Sequence, residues 1–125
     1  MVVAIAALGS PACQQQDRRL QQHKEQFESL GSTTAAIGEA WLAGSVSGTY
    51  ARTALEQTRR LVEQERTALA SAPQSLVDAR GAQLSQAAER LSRLLAAMTQ
   101  DVRTADAPSV RRHLTEIPIV PSERQ

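Results

Sequence analysis

The sequence predicts an all-α fold, an antiparallel up-down bundle of three long helices with a short fourth helix at the C-terminal end. Three observations carry that expectation. Apolar residues recur in steps of three and four along three separate stretches, which is the helical period. Aromatic residues are confined to Phe27, Trp41 and Tyr50, too few for a β-sandwich core, and no stretch alternates as a half-buried strand would. The connection between the first two stretches is short and rich in Gly and Ser, as between antiparallel neighbours. The chain divides into a signal-peptide-like segment at 1–13, a helical bundle domain at 14–116 and an extended tail at 117–125. The helices are expected at about 14–43, 48–71, 79–104 and 107–115.

Residues 1–13 read MVVAIAALGSPAC, an unbroken apolar run from Val2 to Leu8 followed by small residues and a turn, after which QQQDRR is abruptly polar. This order matches the apolar and cleavage regions of a secretory signal. With Cys13 directly after Ala12, the segment resembles a bacterial lipoprotein signal. The resemblance implies that the Cys13 thiol takes up diacylglycerol and that Cys13 becomes the first mature residue. Gln14, which is not the aspartate used for inner-membrane retention, implies outer-membrane placement in a diderm host. The segment departs from the family pattern at Ser10, where leucine is preferred, at Pro11, and in having no Lys or Arg before the apolar run. A start upstream of Met1 would supply that missing charge. Export without lipid, and a cytosolic chain with a frayed N-terminal turn, are the alternatives. The run is shorter than the ~20 apolar residues that span a bilayer.

The first helix has its seam at Leu20, His23, Phe27, Leu30, Thr34, Ile37 and Trp41. The seam stays in phase across Gly31-Ser32, so one kinked helix is expected rather than two. Gly31, Ala35 and Gly38 share a side face that would admit a close neighbour. His23 has no acidic or histidine residue three or four positions ahead on its face, and is expected as an edge-of-seam side chain in water or bonded to a neighbour. Trp41 is expected in the core or capping the bundle end, its indole N–H on a loop carbonyl.

The second helix organises the rest. Its seam runs Ala51, Leu55, Thr58, Val62, Glu65, Leu69 and Ala72, and Ala54, Leu61 and Ala68 are expected to widen it. A stripe of this kind cannot be buried without partner helices. Ser47 is the expected N-cap, with Val46 as a staple onto Ala51. Glu56 is expected to pair with Arg60 four residues on. Arg59, Arg60 and Arg66, interleaved with glutamates, read as a solvated face rather than an anion patch. Glu65 on the seam either bonds a polar seam residue of a partner helix or marks where the bundle opens to water.

Pro73 should stop the second helix, with Leu76 and Val77 covering the bundle end and Asp78 capping the third. That helix, with Leu84, Ala87, Ala88, Leu91, Leu94, Leu95, Met98 and Val102 inward, is the most apolar and is expected centrally. Glu89 pairs with Arg93 outside, and Met98 is a gap filler. Asp106 caps the fourth helix, Pro108 lies in its first turn, and Val110 and Leu114 face in. Residues 117–120, IPIV, are expected to pack back across the bundle, and the last four residues to be unstructured.

The chemistry-bearing motifs are absent: no G-x-S-x-G, H-E-x-x-H, C-x-x-C or C-x-x-C-H, and no E-x-x-H pair of the bundle-core type. The single cysteine excludes an internal disulfide and a cysteine-based zinc site. A net charge of +1 with Arg and Glu interleaved does not suit nucleic acid. The expected protein is therefore non-enzymatic, without cofactor or metal. It is read as a lipid-anchored or exported cell-envelope module, with Cys13 as the lipidation site and the lipid as its hold on the membrane, that presents a bundle to a protein partner. The alternatives are a cytosolic adaptor that self-associates, with Thr34, Thr58 and Glu65 setting register, and a small-ligand binder with an apolar cavity near Trp41.

Overall fold

Ser47 starts the most regular helix. Its extended backbone precedes Gly48, and its hydroxyl accepts from the Tyr50 N–H, as an N-cap should. In the computed structural model, which describes residues 11–71 and 79–118 (backbone only for 11–14 and 16), four helices follow one another. They are α1 (Pro11–Leu42), α2 (Gly48–Ala70), α3 (Ala79–Arg103) and α4 (Ala107–Leu114), and they pack against one another. No strand occurs among the described residues. The expected signal segment lies outside the described residues through residue 10, as do Ala72, Pro73, Leu76, Val77 and Asp78 of the second connection and residues 119–125 of the tail.

The core is aliphatic. Leu55, Val62, Leu69, Leu95, Met98 and Val110 are fully enclosed, joined by Leu20, Phe27, Leu30, Leu84, Leu91 and Val102. Burying one such side chain contributes about 1.5–3 kcal/mol. α2 and α3 share the largest contact, and α3 also touches α1 and α4. Two seam threonines are buried without cost to their hydroxyls. Thr34 Oγ1 donates to the Leu30 carbonyl and Thr58 Oγ1 to the Ala54 carbonyl, both at 2.8 Å.

α1 continues unbroken through Gly31-Ser32. Its side-face glycines receive side chains of α3 and α4 and of Ile117 just beyond. A Cβ on Gly38 would lie 2.9 Å from both Leu114 Cδ2 and Met98 Cε, and one on Gly31 would lie 3.4 Å from Ile117 Cγ2. Ile117 is half-buried against the core. Trp41 is half-buried over the start of α2, where its Nε1 would meet a Gly48 Cβ at 3.8 Å.

Both tight helix ends close by the same geometry. After α1, Gly44 takes a φ of 77° while the Ser45 N–H bonds the Ala40 carbonyl and the Gly44 N–H the Trp41 carbonyl. After α3, Ala105 takes a φ of 57° while the Asp106 N–H bonds the Asp101 carbonyl and the Ala105 N–H the Val102 carbonyl. These are paired left-handed C-terminal caps. The second carries a Cβ where glycine is favoured. Asp106 also begins α4, its Oδ1 accepting from the Ser109 N–H, with Pro108 in the first turn.

Two expectations at α2 are corrected. Leu61 and Ala68 do not widen the buried seam. Leu61 is 45% exposed and Ala68 is exposed, because α1 meets α2 along the seam itself and leaves that flank uncovered. Glu56 pairs with Arg59 at 2.8 Å rather than with Arg60, since the two-pronged contact with the nearer guanidinium brings both carboxylate oxygens into use.

Candidate interaction surface

The polar side chains inside the bundle form closed groups. His23 Nδ1 lies 3.0 Å from Glu65 Oε1 and ties α1 to α2. The seam glutamate is thus bonded to a polar seam residue of a partner helix, and the partner of His23 comes from another helix rather than its own. On the other flank of α2, Glu63 accepts from the Ser92 hydroxyl of α3 and from Arg66 at 2.9 Å. The Ser92 hydrogen bond and the Arg66 guanidinium hold the Glu63 carboxyl below its ordinary range. Arg59 does the same for Glu56, first by hydrogen bonding and then by its charge. Arg59 and Arg66 are thereby paired with glutamates three residues back, as a solvated face would have them.

The densest group joins α3 to α4. Asp101, only 9% exposed, accepts from Ser109 Oγ at 2.9 Å through Oδ1 and meets His113 Nδ1 at 2.6 Å through Oδ2. Ser109 Oγ in turn accepts from Arg112 at 3.0 Å. Serine, aspartate and histidine are all present, but the carboxylate stands in the middle. A serine nucleophile must give its proton to the imidazole, which the carboxylate then steadies. Here the hydroxyl points at the carboxylate and the imidazole at its other oxygen. The arrangement clamps α4 onto α3. Asp101 was not singled out from sequence. The available signal was an acidic residue next to Val102 in seam phase at a helix end, followed by a serine and a histidine four apart.

No group of three or more His, Cys, Asp or Glu residues that could hold a metal occurs among the described residues. Among them too, every buried side-chain nitrogen and oxygen has a hydrogen-bond partner, and no helix is long and apolar enough to cross a membrane. The backbone of Cys13 falls in the first turn of α1, and its side chain lies outside the description.

What the polar groups leave over is one uncharged face. On α2 the residues Tyr50, Ala54, Gln57, Leu61, Gln64 and Ala68 follow one another in steps of four and three, on the flank next to the Glu65 contact with α1. Tyr50, at 59% exposure, and Leu61 are the exposed large hydrophobic residues of the described chain, and both lie on this stripe. The adjoining flank of α1 repeats the spacing from Gln22 to Ala40 through Gln26, Ser29, Thr33 and Ala36, again without a charge. Charges gather elsewhere: Glu25, Glu28 and Glu39 on the outer side of α1, and Arg52, Arg59 and Arg66 on the α3 side of α2. A groove of about 370 Å³ between α2 and α3 is lined by Arg52, Arg60 and Arg103 around Glu56. Sequence periodicity puts Leu61 next to the seam but does not say which flank a neighbour covers, and the expected widening of the buried stripe fails there. No protein-family model, no curated protein and no solved structure matches this chain.

Proposed function

We propose that this chain is a non-enzymatic helical protein-interaction module of the bacterial cell envelope, its three long helices running up, down and up. The antiparallel arrangement of the first two is supported by two contacts: His23, early in α1, meets Glu65, late in α2, whereas Trp41, at the end of α1, lies over Gly48 at the start of α2. The observation that carries the interaction role is the uncharged flank of α1 and α2 with Tyr50 and Leu61 exposed on it. An exposed strip of this composition, bordered by charged residues, is what a docked helix covers. The envelope location rests on the N-terminal run ending in Cys13, where the thiol would carry the lipid.

Two measurements test the two halves of this proposal. Expression in a diderm bacterial host, with fractionation and N-terminal mass spectrometry, should find a membrane-associated chain that starts at a lipidated Cys13. A soluble cytosolic chain retaining Met1 ends the envelope reading. In the same cells, cross-linking from position 57 of the intact chain should give protein adducts that Leu61→Glu abolishes without lowering the melting temperature. Adducts indifferent to Leu61→Glu end the interaction reading.

A further inference from the structure

We infer that the groove between α2 and α3 binds an anion carrying two linked phosphate groups. The groove adjoins the uncharged flank at Gln57, but the inference does not rest on that flank. The first support is a surplus of positive charge. Arg59 and Arg66 on α2 and Arg93 on α3 each sit beside a glutamate one turn away. The three arginines that line the groove do not. Glu56 lies four residues from both Arg52 and Arg60, and Arg59 holds both of its oxygens. Among the described residues Arg52 and Arg60 make no ion pair or hydrogen bond, and Arg103 donates only to the Gln100 amide oxygen, at 3.3 Å. Three guanidiniums therefore face one cavity of about 370 Å³ whose single carboxylate is already paired, on a chain of net charge +1. A cleft lined by one sign of charge focuses its field and gathers ions of the other. The Glu56 carboxyl registers this: the Arg59 hydrogen bond lowers it most, and the Arg60 charge lowers it further.

The second support is the set of donors. Thr49 and Thr53 line the same groove one turn apart, and neither hydroxyl has a hydrogen-bond partner among the described residues. Thr34, Thr58 and Thr99, by contrast, each donate to the carbonyl four residues back. Guanidiniums arriving from two helices, with open hydroxyls between them, suit a tetrahedral group whose oxygens point several ways. A planar carboxylate offers such donors a single edge.

The third is length. Arg52 and Arg60 are two turns apart, about 12 Å along α2. One phosphate would have to draw both long side chains inward, at a cost in rotamer freedom. Two linked phosphates give each guanidinium oxygens of its own. Among the described residues no aromatic side chain lines the groove to stack a base, so the phosphates are the part recognised.

Such a group comes either as a soluble diphosphate or on a lipid headgroup, and the experiment separates the two. Inorganic pyrophosphate is titrated into the intact chain at constant low ionic strength and followed by amide chemical shifts. Saturable shifts are expected over residues 49–60 and 99–103, with half-saturation on the order of 100 µM. Orthophosphate, and citrate with its planar carboxylates, should each bind at least about fivefold more weakly. Arg52→Gln and Arg60→Gln should each weaken pyrophosphate at least about fivefold. Arg66→Gln, an equal loss of charge at a guanidinium outside the groove, should change it less than about twofold. Glu56→Gln removes the one opposing carboxylate and releases Arg59, and should tighten binding. In parallel the chain is sedimented with phosphatidylcholine vesicles with and without cardiolipin, whose headgroup carries two phosphates. Cardiolipin-dependent pelleting that Arg60→Gln reduces identifies the headgroup; pyrophosphate binding without such pelleting identifies the soluble ligand. No saturation up to about 10 mM pyrophosphate, without Arg60-dependent pelleting, overturns the site. So does weakening by Arg66→Gln equal to that by Arg60→Gln, which would mean diffuse surface charge. Citrate binding as tightly as pyrophosphate overturns phosphate as the ligand chemistry.

Discussion

The α3–α4 junction is built from charged, imidazole and hydroxyl side chains and the outer flank of α1 and α2 from uncharged ones, and the two behave in opposite ways. At the junction every polar group is spoken for within the chain. Asp101 accepts from Ser109 and His113, Ser109 accepts from Arg112, and Asp106 closes one helix while opening the next. On the flank, the side chains of Gln57, Gln64 and Tyr50 make no hydrogen bond among the described residues, and Leu61 is exposed. The junction spends its polar chemistry on holding a short helix in place. An eight-residue helix has no stability of its own and must be held by contacts. The flank needs no such contacts, since α1 and α2 are long and already joined along the seam. Surface left over after folding is what remains available for a partner.

Removing the centre of the junction should break the comparison most forcefully. Asp101→Ala strands the Ser109 hydroxyl and the His113 ring in a nearly closed space. Loss of one partner from such a group costs about 3 kcal/mol, through the desolvated groups left behind. Chemical denaturation should show that loss, and hydrogen exchange should show α4 opening first. Leu61→Gln, on the flank, should leave the denaturation midpoint unchanged. If both substitutions behaved alike, the division between a closed and an open region would be wrong.

Ala105 offers a smaller and opposite effect at the same junction. Its φ of 57° costs an L-residue about 1 kcal/mol. Ala105→Gly relieves that strain, offset in part by the greater freedom of glycine in the unfolded chain. A net gain of up to about 1 kcal/mol is expected in denaturation. At Gly44, which takes the equivalent position after α1, Gly44→Ala should lose a similar amount, because nothing else lies within 4 Å to compensate.

The seams were legible in the sequence because burial repeats with the helical period. Leu55, Val62, Leu91, Leu95 and Met98 are buried where that period puts them, and the caps at Ser47 and Asp106 follow from residue type alone. The flanks were not legible. Leu61 lies about 100° round the helix from Val62, at the edge of the seam, where a neighbour could have covered it. Whether one does depends on the crossing of α1, a tertiary property. The Asp101 group escaped for a related reason. Its members come from two helices joined by a reversal whose geometry rests on an alanine in a glycine-like conformation, and residue type gives no warning of that. The Glu65 contact with His23 lay within reach, since a charged residue on a seam needs a partner and the first seam offered a single ionisable one.

The faintest expected effect lies between the two regions, at Glu63, which faces neither the closed junction nor the open flank. Its carboxyl is held below the ordinary 4.5, chiefly by the Ser92 hydroxyl and then by Arg66. A group with a lowered folded-state pKa stabilises the fold above its unfolded value, and that contribution is lost as the pH falls through the folded value. The contribution of Glu63 should therefore be constant down to about pH 4.5 and decline below it, with Glu56 adding in the same direction through Arg59. Ser92→Ala removes the largest cause at Glu63 and leaves Arg66 in place, so the decline should become shallower without vanishing. The Glu63 side chain is 41% exposed, and water screens most of the interaction, so the change should be smaller than that at Ala105. A melting series between pH 3 and pH 6 would show it as a reduced slope in the Ser92→Ala variant. An unchanged slope would mean that the short contact between α2 and α3 holds geometry alone, and that the downward shift of the carboxyl pKa comes from Arg66.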